Sequence, residues 1–525
     1  MTLNGVLVRR RVWRSFDFNE FNSDLYQSAL LCSPASDVDD LVAAYDKTLQ
    51  SLLDAHSPYR IIRRSQRPSQ HWYDAECRNM RRRTRALERS YRRNGSADIL
   101  TAWKVQFHAQ RRLFQRKASD FWQTALANCA GDARQLWALI ARATKPPSTA
   151  RLPHSECDLS QHFTGKVSKI RASTASASLP TVTVRESPAF SSFAAVTAEE
   201  IHRLVLTAPC KTCVLDPVPT WLVKRSVDLL APVITDICNA SLQLGYFPAS
   251  QKQARVSARL KKPSLDPDDL NSFRPISNLT FLSKIVERVA VRQFVRHADD
   301  NDLLPPRQSA YRRFHSTESA LLAVYNDIVQ AIDAGHVVAL TLLDLSSAFD
   351  TVDHSILLST LQSRFSVTGH PLDWFRSYLS GRTQVFVAQS RETPPVPLMS
   401  GVPQGSSLGP AQFISYTECS TDVFSAHGVR YHLFADDTQC YDSCLVTSTC
   451  IQSMLTRLSS CINDLAALFS SLRLQLNPTK SEFIWFGSRA SLAKIPSNLR
   501  VLSICGTTID SAMLCVISGS GLTAN

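Results

Sequence analysis

Asp344 closes the apolar run Val337-Val-Ala-Leu-Thr-Leu-Leu-Asp344. Asp436 and Asp437 stand together inside Tyr431-His-Leu-Phe-Ala-Asp-Asp-Thr-Gln-Cys-Tyr441. The first run has the composition of a buried strand. A carboxylate at its end needs a partner, because buried charges are paired or bind metal. The second run reads as two short strands flanking a turn that carries both carboxylates. Asp is common in turns, and an isolated Asp-Asp pair would mean little. Between apolar strands, however, adjacent carboxylates repel one another unless a cation neutralises them. If the two elements are neighbours in one sheet, Asp344 and Asp436 meet at the strand tips. Oxygens from two strands make a site for hard cations, and magnesium binds a few carboxylates plus substrate phosphates rather than a full protein cage. Two such ions can activate an attacking hydroxyl and stabilise a leaving pyrophosphate.

A third element is Ser400-Gly-Val-Pro-Gln-Gly-Ser-Ser-Leu-Gly-Pro410. Its glycines allow close backbone approach to a ligand, and the Gln404 amide can both donate and accept at a sugar or base edge. Alone, the stretch is only a loop leading into a helix.

The elements that would position these groups begin at Thr197-Ala-Glu-Glu200, a capping box for the helix that follows. From there to about residue 487, helices and strands alternate. Pro371 to Leu379, closed by Gly381, is a predicted helix with Leu372, Phe375 and Leu379 on its buried face. Upstream, residues 145–195 are rich in Pro, Ser, Thr and Ala and read as a linker, with one short helical piece near Cys157–Arg171. Residues 74–127 read as a long helical hairpin broken at Asn94-Gly95. Arg81, Arg82, Arg85 and Arg89 crowd its first arm, and Arg111 and Arg112 its second. Trp103, Phe107, Phe114, Phe121 and Trp122 are interleaved. Basic residues with aromatics can grip a nucleic-acid backbone and stack on bases. We assign the arginines to nucleic acid and the aromatics to the hairpin's own core. Residues 1–60 read as short helices, with Val38, Leu41, Val42, Tyr45, Leu49, Leu52 and Leu53 at helical spacing.

The charge balance agrees. The net charge is +13 over 525 residues. Residues 1–150 hold 25 Lys and Arg against 14 Asp and Glu. A basic module is joined to a nearly neutral body, which points to a polyanion partner. The 14 cysteines are scattered, and no secretion signal accompanies them, so a disulfide framework is not expected. Cys210-Lys-Thr-Cys213 lacks a second ligand pair at zinc-finger spacing and is expected to be structural or incidental rather than a zinc site. No run has the length of a membrane span. The chain is expected to be intracellular, with no membrane association.

Four blocks occur in an order that resembles the reverse transcriptases of LINE-type (non-LTR) retrotransposons. They are Ser272-Phe-Arg-Pro-Ile-Ser277, Leu343-Asp-Leu-Ser-Ser-Ala-Phe-Asp350, Gly401-Val-Pro-Gln-Gly405 and Phe434-Ala-Asp-Asp437. Gln308-Ser-Ala-Tyr-Arg-Arg-Phe-His-Ser-Thr-Glu318 and Leu474-Gln-Leu-Asn-Pro-Thr-Lys480 are similar to flanking blocks of that family. Asp216-Pro-Val-Pro-Thr220 and Lys261-Lys-Pro-Ser-Leu-Asp-Pro-Asp-Asp269 look like its jockey-related branch. The resemblance covers roughly residues 195–487. It implies that Asp344 and Asp436 bind two magnesium ions, with Asp437 in support. Phe349 would lie under the incoming sugar and exclude a 2′-OH. Gln404 and Gly405 would contact nucleotide and template, Arg274 the triphosphate, and Lys480 would protonate the leaving pyrophosphate.

The same resemblance implies an α+β fold. It is a right-hand polymerase with fingers and an antiparallel palm sheet, preceded by a basic helical region and followed by a truncated thumb. The expected organisation is a basic connector over 1–145, a linker over 146–195, fingers and palm over 196–487, and a tail over 488–525. Cys515-Val-Ile-Ser-Gly-Ser-Gly-Leu-Thr-Ala-Asn525 departs from the family's next block, and a frameshift there would account for it. The implied reaction is RNA-templated DNA synthesis from dNTPs on a DNA primer supplied by nicked target DNA. The implied locations are the cytoplasm, as a ribonucleoprotein, and the nucleus during integration. The alternative is an inactive, truncated relic that binds nucleic acid without polymerising. An RNA-directed RNA polymerase shares the paired-Asp logic, but Phe349 argues against it.

Overall fold

The computed structural model describes residues 6–32, 37–64, 72–129, 131–144, 153–181, 183–211, 213–389, 391–518 and 521–524. The chain divides into two units, Met1–Phe16 with Ser57–Arg151, and Asp17–His56 with Leu152–Asn525.

In the first unit, the arginine-rich segment forms the expected hairpin. Its arms are the helices Ala75–Asn94 and Ala97–Ala127. Asp74 caps the first arm through its side chain, and Gly95 ends it in the left-handed region at φ 64°. Aromatic rings hold the arms together. Tyr91 stacks on Trp103, and Tyr73 meets Phe114 edge-on. Lys117 reaches back to Asp74 and Glu76 at 2.7 and 2.9 Å. Arg82, Arg85, Arg89, Arg111 and Arg112 stay exposed, and Arg81 is half-buried. Two strands depart from the helical reading of residues 1–60: Val6–Arg11 pairs antiparallel with Tyr59–Arg64. Their charged composition, Val-Leu-Val-Arg-Arg-Arg against Tyr-Arg-Ile-Ile-Arg-Arg, hides the strand periodicity.

The second unit is built on two sheets. The larger has seven strands, ordered Val501–Ile504, Thr507–Ser518, Glu482–Gly487, His336–Leu343, Asp437–Leu445 and Arg430–Phe434, with Gly521–Ala524 added to Thr507–Ser518. His336–Leu343 lies between two neighbours and is buried along most of its length, as its unbroken apolar run requires. Helix Thr317–Asp333 packs on one face. There Val324, Ile328 and Ala331 meet Val338, Leu340, Tyr441 and Phe486. The smaller sheet has five strands, with Gln253–Leu260 between Phe273–Asn278 and Thr383–Ala388.

The structure corrects three expectations. The large sheet is mixed rather than antiparallel, because Glu482–Gly487 pairs parallel with Thr507–Ser518. It also extends past residue 487, so residues 488–518 are partly sheet rather than a separate tail. The end of the expected frameshifted stretch, at 519, 520 and 525, lies outside the described residues. Third, neither the connector nor the linker keeps its expected boundary. Helix Val38–His56 belongs to the second unit and buries Leu41, Val42, Tyr45, Leu49 and Leu53. The linker contains helix Glu156–Thr174, closed at its start by a Ser155–Asp158 capping box. Both segments bury apolar side chains within the second unit, Leu41 to Leu53 on the first helix and Leu159 and Ile170 on the second.

Helix Val38–His56 brings a half-buried Asp46 against Gln251, whose amide donates to it at 3.2 Å. Burial, with Asp216 nearby, pushes the Asp46 carboxyl up to about 6. A folded-state pKa above the unfolded value means that the native state holds the proton more tightly. Stability therefore falls as pH rises from about 4 to about 6. Asp46→Asn keeps an acceptor for Gln251 and removes the ionisation. We expect it to raise stability by about 1–2 kcal/mol at pH 7.5 and by little at pH 4.5. Denaturant titrations at both pH values check this, and equal effects at the two would contradict it.

Candidate active site

The hairpin Arg430–Phe434 and Asp437–Leu445 turns at Ala435-Asp436. Ala435 holds the left-handed region at φ 59°. That conformation costs an L-residue about 1 kcal/mol, so the surroundings must enforce it. Gln308 supplies the constraint. Its buried side-chain oxygen accepts from Ala435 N at 3.1 Å and from Ala310 N at 2.9 Å. The neighbouring backbone adds Leu433 N to Arg307 O at 2.9 Å and Ser309 N to Leu433 O at 3.0 Å. Gln308 thus positions the turn that carries Asp436.

Thr438 lies opposite Leu343 in the antiparallel ladder, so both strands present their carboxylates at the same edge. Asp344 follows the last residue of its strand. Its carbonyl accepts from Asn477 N at 2.9 Å, and Ser346 N donates to Gln475 O at 2.9 Å. This clasp brings Lys480 within 3.1 Å of the Asp344 carboxylate. Burial raises the pKa of Asp436, and the like charges of Asp437 and Asp344 raise it further, while Arg274 opposes them. Asp437, although more exposed, is raised by its partial desolvation and by Asp344, with Arg274 again opposing. The acidic edge is therefore short of positive charge, the condition that favours a bound cation.

The loop Gly401-Val-Pro-Gln-Gly405 faces this edge across a cavity of about 430 Å³. Its conformation depends on two glycines. A Cβ at Gly401 would come within 2.6 Å of Asp350 O, and one at Gly405 within 2.5 Å of Ser277 O. Gln404 O accepts from Ser277 N at 2.8 Å, which ties the loop to strand Phe273–Asn278. Ser407 N donates to Glu287 at 2.6 Å. Glu287 is fully buried and also receives Ser283 and Tyr378 hydroxyls.

Asp344, Asp436, Lys480, Arg274, Phe349, Gln404 and Gly405 all line this one cavity. The family resemblance implied a role for each, and the fold brings them together from segments as far apart as Arg274 and Lys480. Arg274 is exposed and makes no ion pair with a described residue, so its guanidinium is free to meet a ligand. Phe349 stacks on Phe413, with centroids 4.5 Å apart, and still reaches the cavity wall. Asp437 is exposed and does not line the cavity, although its charge acts on Asp436. Arg81, Arg82, Arg85, Arg89, Arg111 and Arg112 lie in the other unit.

Sequence reasoning passed over several neighbours. The Gln404 amide donates to Asp350 at 2.8 Å, and burial pushes the Asp350 carboxyl up to about 6. Glu287 left one signal, an acid surrounded by Ile285, Val286, Val289 and Ala290 on a helix. Gln308 and Lys261 stand inside blocks that resemble the family but had no assigned part. Lys166, which also lines the cavity, left no signal.

A cluster of three or more His, Cys, Asp or Glu that could enclose a metal is not found among the described residues. The donor set is instead a pair of hard carboxylates, Asp344 and Asp436, whose like charges oppose one another. This fits magnesium shared with phosphate oxygens rather than caged by protein.

Residues 260–503 match the family described as reverse transcriptase (RNA-dependent DNA polymerase). Among curated proteins, the chain is 27% identical over 304 residues to the RNA-directed DNA polymerase from mobile element jockey of Drosophila melanogaster. That alignment covers 56% of this chain and 32% of the relative. It is 29% identical over 250 residues to the probable RNA-directed DNA polymerase from transposon BS of the same fly, covering 47% and 27%. The probable RNA-directed DNA polymerase from transposon X-element, also from that fly, is 32% identical over 184 residues, covering 35% and 20%. The matched stretch thus spans less than a third of each relative's length.

Proposed function

We propose that this chain, which carries a reverse transcriptase region of the LINE type at residues 260–503, is an RNA-templated DNA polymerase. The observation that carries the reading is the convergence of Asp344, Asp436, Arg274, Phe349, Gln404 and Lys480 on one cavity. In the reaction, the primer 3′-oxygen attacks the α-phosphate of a dNTP. The bond from that phosphorus to the bridging oxygen breaks, and pyrophosphate leaves. Asp344 and Asp436 would hold two magnesium ions, whose chemistry is to acidify the attacking hydroxyl and to offset charge on the leaving group. Asp437 supports them through its charge. Arg274 would grip phosphate oxygens with its planar fork. Lys480, next to Asp344, can deliver a proton to the leaving pyrophosphate. Phe349 forms the floor under the sugar, and Gln404 and Gly405 position nucleotide and template.

In this reading the large sheet is the palm and the smaller sheet belongs to the fingers of a right-hand polymerase. The template is RNA and the primer is DNA, supplied in cells by nicked target DNA. The protein then works in the cytoplasm as a ribonucleoprotein and in the nucleus during integration. Among the described residues, no helix is long and apolar enough to cross a membrane. Primer extension on an RNA template with dNTPs and Mg²⁺ tests the reading directly. Salt-sensitive binding without extension would make the chain a nucleic-acid-binding relic instead.

The exposed hairpin arginines would hold the nucleic-acid backbone. Substituting Arg82, Arg85, Arg111 and Arg112 with Ala is expected to weaken RNA binding to a similar degree for all sequences. On a single strand, the slope of log K against log salt should drop by about 0.7 for each phosphate that is no longer neutralised. Filter binding between about 50 and 200 mM salt, a range chosen for its steep dependence, reads the slope. An unchanged slope removes the hairpin from the nucleic-acid interface.

A further inference from the structure

Four cations surround the cavity: Arg274, Lys480, Lys261 and Lys166. The first three belong to blocks that resemble the polymerase family. Lys166 does not. It lies on helix Glu156–Thr174, upstream of the matched family region and within the stretch expected to be a linker.

This helix is firmly placed. Leu159 is fully buried in a cluster with Val256, Phe386 and Ala388. Phe163 stacks on Phe386, with planes 11° apart. Arg171 pairs with Asp353 at 2.8 Å. At the far end, Arg473 donates to the carbonyls of Thr174 and Ala177. Contacts at both ends and along one face fix the rotation of the helix, and that rotation turns Lys166 into the cavity.

Lys166 is half-buried and makes no hydrogen bond or ion pair with a described residue. Its charge acts on Asp350, which it helps to ionise, and on Lys261. Burial lowers the Lys261 pKa, and the positive charges of Lys166, Lys480 and Arg274 lower it further. Mutually repelling ammonium groups around a pocket are costly unless an anion neutralises them. The same cavity holds the acidic edge, so its ligand must carry dense negative charge on one side and coordinate a cation on the other.

We infer that Lys166 is a ligand for the triphosphate of the incoming nucleotide, supplied to the active site by a helix outside the polymerase family's matched region. The inference rests on the reading of this cavity as a nucleotide site. A compact, mobile ammonium suits a polyphosphate, which offers oxygens in several directions. The helix then also acts as a wall of the nucleotide site, so residues 156–174 are part of the catalytic unit.

The test measures dNTP binding to the full chain bound to an RNA template and a chain-terminated primer, so that no chemistry intervenes. Lys166→Ala is expected to raise the Kd for dNTP about ten-fold, the loss of one charge-assisted hydrogen bond. Lys166→Arg should keep affinity within about three-fold, since charge and reach are preserved. Lys169→Ala, exposed on the same helix, should change nothing and controls for helix integrity. Inorganic tripolyphosphate should compete with dNTP less well in Lys166→Ala than in the unsubstituted protein. Unchanged dNTP affinity, with weaker primer–template binding, would assign Lys166 to the template backbone and overturn the inference. If the unsubstituted protein extends primers while Lys166→Ala binds dNTP normally, only this inference falls. If the unsubstituted protein binds no dNTP, the nucleotide-site reading falls with it.

Discussion

Asp436→Ala is expected to reduce primer extension by about 10³-fold or more while leaving the fold intact or slightly more stable. The first half follows from the position of Asp436. Preorganised charge at the reacting phosphorus commonly contributes most to catalysis, and losing one such group costs about 10²–10³ in rate. In the proposed reading the substitution also removes a carboxylate that would hold magnesium, which adds to the loss. The second half follows from the site's electrostatics. Burial and the charges of Asp437 and Asp344 hold the Asp436 pKa above its usual range. At neutral pH the ionised group therefore opposes folding, and its removal relieves that opposition. The Ala435 turn survives, because Gln308 holds it through the backbone and not through Asp436. A denaturation midpoint equal to or above that of the unsubstituted protein, together with lost extension, is the expected pair of results. Extension persisting at even a tenth of the original rate would show that Asp436 is not at the reacting centre. A parallel loss of stability would show that the side chain is structural.

The second large effect concerns the sugar. Phe349→Val is expected to lower the preference for dNTPs over rNTPs by about 10- to 100-fold, read as the ratio of their kcat/KM values. A 2′-hydroxyl pressed against a fixed ring is an overpacking clash, typically about 1–3 kcal/mol, and the expected change corresponds to about 1.4–2.8 kcal/mol, within that range. The clash requires a ring that cannot turn aside. Phe413 supplies this rigidity by stacking on Phe349 at 4.5 Å, with planes 19° apart. The substitution also forfeits that aromatic contact, worth about 0.5–1.5 kcal/mol, so a stability measurement must accompany it. Phe413→Leu separates the two roles. It weakens the stack but leaves the ring of Phe349 present, and it should loosen sugar selection by less than Phe349→Val does. If Phe349→Val destabilises the protein yet leaves dNTP preference unchanged, Phe349 is a packing residue and the selection lies elsewhere.

Asp436 and Phe349 are both legible in the sequence, the first from its surroundings and the second from its block. Asp344 and Asp436 stand out because strand periodicity is local, and a charge at the end of an apolar run is conspicuous within a short window. Helix Gly369–Leu379, the Thr197–Glu200 capping box and the Gly95 break are legible for the same reason. In each case the chemistry of capping or of a left-handed turn is written in adjacent side chains. The order of the four blocks carries the remaining site residues, because each block has a fixed composition.

Contacts between distant segments are another matter. The Gln404–Asp350 hydrogen bond joins residues 54 apart in sequence, and Gln308–Ala435 joins residues 127 apart. Nothing in the spacing of either pair announces them. The parallel pairing of Glu482–Gly487 with Thr507–Ser518 is likewise invisible, since an apolar strand is compatible with either direction of neighbour. Helix Val38–His56 is recognisable as a helix, but not as part of the larger unit. Helix Glu156–Thr174 reads from sequence only as a short piece of a linker. Its mean composition is polar, and its few apolar residues acquire meaning only when the small sheet offers them a face.

The amino-acid sequence by itself therefore singled out the carboxylates at the strand ends, the blocks around them and the local elements that carry them. Tertiary structure alone decided which helix walls the cavity and puts Lys166 inside it, and which buried amide holds the turn of Asp436. The division has a physical cause. Backbone preference and capping act over a few residues, whereas register and docking are chosen by the burial of apolar faces across the whole chain.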